Sequence, residues 1–141
     1  MSSAPDEKPP ETPPDGVVTH LFDNGRVCCE VTYRGGRREG EGRMYYTTGG
    51  LYATETYRDD VLNGPAVTYY DTGGVQAELH YVDGLLEGTV KEYYPSGQLE
   101  SESEYKAGRL HGPSTVYSLA GAVEARYVYR HGEVVAPETG A

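Results

Sequence analysis

The side chains in this 141-residue sequence that could do chemistry are four histidines, two adjacent cysteines and a large excess of carboxylates. His20, His80, His111 and His131 show neither an HxH nor an HxxxH spacing, the patterns that bring two imidazoles to one metal ion. Cys28 and Cys29 are sequence neighbours, which make a poor structural staple and no CxxC site; they read as small strand residues, with a reactive thiol as the lesser alternative. Carboxylates are numerous enough that some pair must stand at glycosidase spacing, but a general acid also needs a pocket that raises its pKa. The glycine-rich stretches precede strand-like rather than helix-like segments, so a phosphate loop would lack its helix N-terminus. The expectation is a non-enzymatic protein without metal or cofactor.

Charge points instead to surfaces. Twenty-two acidic side chains stand against twelve basic ones, a formal net charge of -10, which disfavours nucleic acid and anionic lipid, whose phosphates need Lys and Arg. The excess is concentrated: residues 59 to 104 hold ten acidic residues and only Lys91 as a base, between two mildly positive flanks. This central belt includes Glu78, Glu100, Glu102 and Glu104 along strands and Asp59, Asp60, Asp83 and Glu87 at turns. It reads either as a solvated face that keeps an open sheet from self-pairing or as a landing site for a basic protein partner. Arg34, Arg37, Arg38 and Arg43 gather around one turn and form the one phosphate or lipid patch the sequence offers; with Glu39 and Glu41 among them, a solvated turn is the preferred reading. No segment has the length and apolarity of a membrane span or a secretory signal, so the expected compartment is the cytoplasm.

The elements that must carry these residues are repeats. Tyr33, Tyr57, Tyr81, Tyr105 and Tyr129 are spaced by 24, as are Gly40, Gly64, Gly88 and Gly112, and Gly25, Gly49, Gly73, Gly97 and Gly121. Tyr45, Tyr69, Tyr93 and Tyr117 form a further series, with Tyr46, Tyr70 and Tyr94 directly after the first three. A last series, Gly36, Gly84, Gly108 and Gly132, has Asp60 in its missing place. Of 14 tyrosines 12 fall in this frame, so the repeat explains the unusual composition. The histidines occupy four different repeat positions, which argues again against shared ligation.

Each unit carries two turns of the form Tyr-x-x-Gly, read as type I turns followed by a left-handed glycine, and hence two strands. Strand alternation places Leu99, Ser101, Ser103 and Tyr105 opposite Glu100, Glu102 and Glu104, and Val75, Ala77, Leu79 and Tyr81 opposite Gln76, Glu78 and His80. The adjacent tyrosines of each pair are expected on opposite faces. The predicted fold is all-β: an elongated single-sheet antiparallel meander of about five β-hairpin repeats, ten strands, over residues 17–135. Residues 1–16, with five prolines and no aromatic or branched aliphatic side chain, are predicted to be a disordered acidic tail, and 136–141 a short C-terminal tail.

The run from Tyr81-Val82-Asp83-Gly84-Leu85-Leu86-Glu87-Gly88 to Tyr93-Tyr94-Pro95-Ser96-Gly97-Gln98-Leu99 resembles the bacterial variant of the MORN repeat, and Tyr105 to Gly112 is nearly as good a copy. The resemblance covers residues 17 to 135 and implies a chain of β-hairpins. It further implies an antitoxin- or immunity-like protein, or else a scaffold, dimerising or phospholipid-contacting role. The leading expectation is a protein-binding module that meets a basic partner through the acidic belt, with Tyr69, Tyr70, Tyr93 and Tyr94 as rigid aromatic anchors. A self-associating scaffold, possible as a homodimer, is the alternative, and a lipid-associating module the weaker one.

Overall fold

The computed structural model describes residues 12–138, all strands and turns. Its strands are β1 (Gly16–Leu21), β2 (Val27–Arg34), β3 (Arg37–Tyr45), β4 (Leu51–Arg58), β5 (Val61–Leu62), β6 (Gly64–Tyr69), β7 (Val75–Val82), β8 (Leu85–Leu86), β9 (Gly88–Tyr93), β10 (Leu99–Lys106), β11 (Arg109–Tyr117), β12 (Val123–Arg130) and β13 (Glu133–Glu138). They form one open antiparallel sheet in the order β1-β2-β3-β4-β6-β7-β9-β10-β11-β12-β13. The short β5 and β8 pair with β4 and β7 and lead into β6 and β9. The predicted meander is therefore present, with an eleventh strand position, because β13 runs on to Glu138 through residues expected in the tail.

The beginning of the repeat also lies earlier in the chain than expected. Gly16 pairs with Tyr33 as Gly40, Gly64, Gly88 and Gly112 pair with Tyr57, Tyr81, Tyr105 and Tyr129, and it shares their left-handed φ, at 108°. Asp15, one residue before, accepts a hydrogen bond from Gly35 N (2.9 Å), as Glu39 does from Asp59 N (3.2 Å). Thus Gly16 belongs to the sheet, and Asp15 is tied to it through its side chain. Of the rest of the predicted tail, residues 12–14 lie in no strand and residues 1–11 lie outside the described residues.

The two turns of a unit differ. At Tyr94-Pro95-Ser96-Gly97 the expected loop is present: Gly97 N donates to Tyr94 O (2.8 Å), Tyr94 N to Gln98 O (2.8 Å), and Gly97 has a φ of 95°. At the other turn Val82 pairs directly with Leu85, and Asp83 and Gly84 both have positive φ, 48° and 84°. That is a two-residue type I′ hairpin, which needs left-handed conformations at both central positions and is typified by the Asp-Gly dipeptide. Gly35-Gly36, Asp59-Asp60, Ala107-Gly108 and His131-Gly132 repeat it.

Register assigns the faces. On β7 the expected alternation holds, with Val75, Ala77, Leu79 and Tyr81 half-buried and Gln76, Glu78 and His80 exposed. Val31, Ala53, Tyr57, Ala66 and Val90, the buried apolar residues, all fall on the Leu79 face. A single layer cannot enclose side chains from both sides, and no side chain among the described residues falls below 2% exposure. Tyrosine hydroxyls tie successive units together instead. Tyr46, Tyr70 and Tyr94 donate to the carbonyls of Tyr69, Tyr93 and Tyr117, each one unit ahead (2.5–2.6 Å). These second tyrosines follow the ends of β3, β6 and β9, so strand alternation does not decide which way they point.

Candidate interaction surface

One row of residues crosses the sheet on the face opposite the buried set. Successive register pairs join Glu30 to Arg43, Glu78 to Lys91, Lys91 to Glu102, Glu102 to Thr115 and Thr115 to Arg126. Glu78, Glu102 and Glu104, all expected in the acidic belt, lie on this face around Lys91, and Glu100 stands at the bulge between Leu99 and Ser101. Sequence reading missed that Lys91 stands between Glu78 and Glu102, since a base in the next strand is a neighbour only once register is known.

Tyrosines set the chemistry of these carboxylates. Tyr45 donates to Glu30 (2.5 Å), Tyr117 to Glu102 (2.8 Å) and Tyr93 to Glu78, in each case 15 residues back in the chain. Thr89 likewise donates to Glu104 (2.5 Å). Donation to a carboxylate holds each hydroxyl in its neutral form: the phenol of Tyr93 is pushed up to about 12, chiefly by Glu78, while Tyr45 and Tyr117 are raised chiefly by Glu30 and Glu102. Tyr94 is raised by burial and by the nearby charges of Glu124 and Glu100. Glu124 was not singled out in the sequence; it repeats Glu100 at an interval of 24.

The other belt residues lie elsewhere. Asp59 and Asp60 sit in a type I′ turn and pair with the arginines of the preceding unit, Arg37 to Asp59 at 3.9 Å and Arg38 to Asp60 at 3.1 Å. Asp60 also accepts from Arg38 N (2.8 Å), and that bond, followed by the guanidinium, holds its carboxyl below the usual range. Asp83 accepts from Asn63 (3.1 Å) at the next turn, and Glu87 N donates to His80 O (2.9 Å). The candidate surface thus contracts to the four strand carboxylates. Of the four proposed aromatic anchors, Tyr70, Tyr93 and Tyr94 have hydroxyls committed within the sheet, and Tyr69 is half-buried at the end of β6.

The arginine cluster is divided as well. Arg37 and Arg38 face Asp59 and Asp60, Arg43 binds Glu41 (2.7 Å), and Arg38 lies over the Tyr57 ring, 4.5 Å from its centroid. Arg34 pairs in register with Arg37 at the base of the turn. Three of the four candidate phosphate ligands are therefore already matched by carboxylates.

The histidines behave differently from their expected independence. His111 and His131 come together with ring centroids 5.0 Å apart, and His131 N donates to His111 Nδ1 (3.3 Å). Their repeat positions differ, but the residue before the strand glycine regularly reaches the type I′ turn of the next unit. No group of three His, Cys, Asp or Glu among the described residues has metal-site geometry.

Among solved structures, a chain of the GtfA/B complex bound to UDP and GlcNAc is 13% identical over 89% of this chain and 26% of that one, with a TM-score of 0.34. A chain of the accessory secretory protein 1,2 and 3 structure from Streptococcus pneumoniae is 11% identical over 92% of this chain and 19% of its own, with a TM-score of 0.25. The present chain thus spans about a quarter or less of either. No curated protein matches it. Residues 38–59, 62–83 and 86–107 each match the model described as the MORN repeat variant, three tandem matches in the centre of this sheet.

Proposed function

We propose that this protein is a non-catalytic protein-binding module, and that its carboxylate face, Glu78, Glu100, Glu102 and Glu104 around Lys91, receives a basic partner. The observation that carries the reading is register: Glu78 on β7 and Glu102 and Glu104 on β10 share one face with a single base between them, and Glu100 follows at the adjoining bulge. Hydroxyl donors fix three of these carboxylates in place, which lowers the ordering cost of using them in an interface. MORN repeats are interaction and scaffold modules in general. An antitoxin- or immunity-like role, in which this face covers a basic toxin, is the specific form we propose.

The test converts Glu78, Glu100, Glu102 and Glu104 to Gln, which removes charge but keeps an acceptor for each hydroxyl. Against a basic protein co-purified from the source cells, the association rate should fall and lose most of its salt dependence. Unchanged rate and salt response would refute the electrostatic reading. A self-associating scaffold is supported by a separate observation: among the described residues, terminal strands β1 and β13 each have one unpaired side and expose Val17, Leu21, Val134 and Val135 by half or more. Light scattering at micromolar concentration distinguishes it by a mass above that of the single chain.

A further inference from the structure

Cys28 and Cys29 would point to opposite faces of a regular strand. They do not lie in a regular stretch. His20 pairs with Cys29 and Leu21 with Val27, so Cys28 is the extra residue of a β-bulge. The same repeat position is bulged further along, where Leu99 and Ser101 pair with Tyr93 and Glu92 across Glu100. A bulge sets two consecutive residues against one partner and relaxes alternation, and here the two thiols are close enough to interact. The Cys29 thiol is in contact with that of Cys28 and is raised, first by burial and then by that contact.

The neighbours of Cys29 are also soft or borderline donors. Met44 on β3 and His20 on β1 stand directly opposite it. Directly opposed residues have Cβ atoms about 4.5–5.5 Å apart, within reach of one ion. Met44 and both cysteines are half-buried, whereas His20 is exposed. The other repeats place Tyr52-Ala53, Gln76-Ala77, Glu100-Ser101 and Glu124-Ala125 at the cysteine positions, so the donor set is confined to the first bulge.

We propose that Cys28, Cys29 and Met44 form a binding site for a soft monovalent metal ion, with Cu(I) as the chemical type. Thiolate and thioether sulfur select Cu(I) over harder ions, and a low coordination number suits a site on a single sheet. The two thiols each release a proton as they bind, so one Cu(I) and two thiols give a dithiolate complex of charge -1 and two protons. Met44 adds a neutral third sulfur, and the imidazole of His20 flanks the site.

The experiment titrates the full chain, reduced and anaerobic, with Cu(I) as its acetonitrile complex against a competing chromophoric Cu(I) chelator. One Cu(I) should be retained per chain, with two protons released and with Zn(II) failing to displace it. Cys28→Ser and Cys29→Ser should each abolish retention, and Met44→Leu should weaken it roughly tenfold, the lower end of what supporting groups at metal sites contribute. Thermal melts of each variant confirm folding. Should a variant fail to fold, alkylation of the wild-type chain decides: Cu(I) must protect both thiols together. Protection of one thiol alone, undiminished retention in Cys28→Ser, or two independent equivalents would overturn the site.

Discussion

The same backbone hydrogen bond joins successive hairpins at the step from Arg38 to Asp60 and at the step from Leu86 to Gly108: Asp60 N donates to Arg38 O at 3.0 Å, and Gly108 N to Leu86 O at 2.9 Å. The side chains around it are unlike. At the second step Leu85 packs on the glycine, its Cδ2 only 3.2 Å from where a Cβ would stand. At the first, Arg replaces the repeat leucine and Asp the repeat glycine, and the two changes complement each other through two further bonds from Arg38 to Asp60 (3.1 and 2.8 Å). The backbone bond therefore sets the stacking of units, while the side chains choose between apolar contact and ion pairing.

The largest difference should appear when the tyrosine beside each step is removed. Tyr57, 7% exposed, is covered by Arg38 and packs on Gly42, where a Cβ would stand 3.1 Å from the ring. Tyr105, paired in register with Leu110, is only half-buried. Tyr57→Ala is expected to destabilise by about 3 kcal/mol, the lower end for aromatic truncation, and Tyr105→Ala by clearly less. Urea denaturation checks this, and equal losses would show that Arg38 adds no cover.

A smaller contrast tests the turn residues. Gly108→Ala forces a side chain into left-handed backbone at φ 84° and against Leu85, with an expected cost of about 1–2 kcal/mol. Asp60 already holds a side chain at φ 70°, so Asp60→Ala loses only exposed contacts to Arg38 and should cost less. Thermal melts of the two variants give the order directly; a reversed order would mean that the ion pair outweighs backbone strain.

Most of this architecture was legible in the sequence, because a period of 24 with glycine and tyrosine in fixed places leaves few alternatives. What escaped were features created between units. The type I′ turns had a local signal in Asp83-Gly84, but the shared Tyr-x-x-Gly spelling concealed that the two turns differ. Gly16 was in frame and was masked by the proline-rich run before it. Lys91 between Glu78 and Glu102, Arg38 against Asp60, and His111 beside His131 are neighbours only through strand pairing, at separations of 11 to 22 residues. The candidate site was therefore half legible: its carboxylates were visible in the strand alternation, while their partners and the removal of Asp59 and Asp60 from the set required register.

The finest contrast between the two steps is in proton affinity. Burial, followed by Glu55, pushes Tyr57 up to about 12, and the guanidinium of Arg38 acts in the opposite direction. Tyrosine is neutral when protonated, so a raised pKa means that the folded state holds its proton more tightly than the unfolded chain, whose phenols titrate near 10. The stabilisation is fully present below pH 10 and is lost as pH rises toward 12. Tyr93, also raised to about 12, titrates in the same window, and Tyr45, Tyr81, Tyr94 and Tyr117 are raised in the same direction. Ultraviolet titration should thus show a second phase of phenol ionisation, above pH 10 and accompanied by loss of β-sheet circular dichroism. Replacing Arg38 with Leu, the residue of the other steps, removes the cation over Tyr57 and should move that second phase to higher pH in a chain that remains folded. Movement to lower pH would show that Arg38 contributes cover rather than charge at this ring.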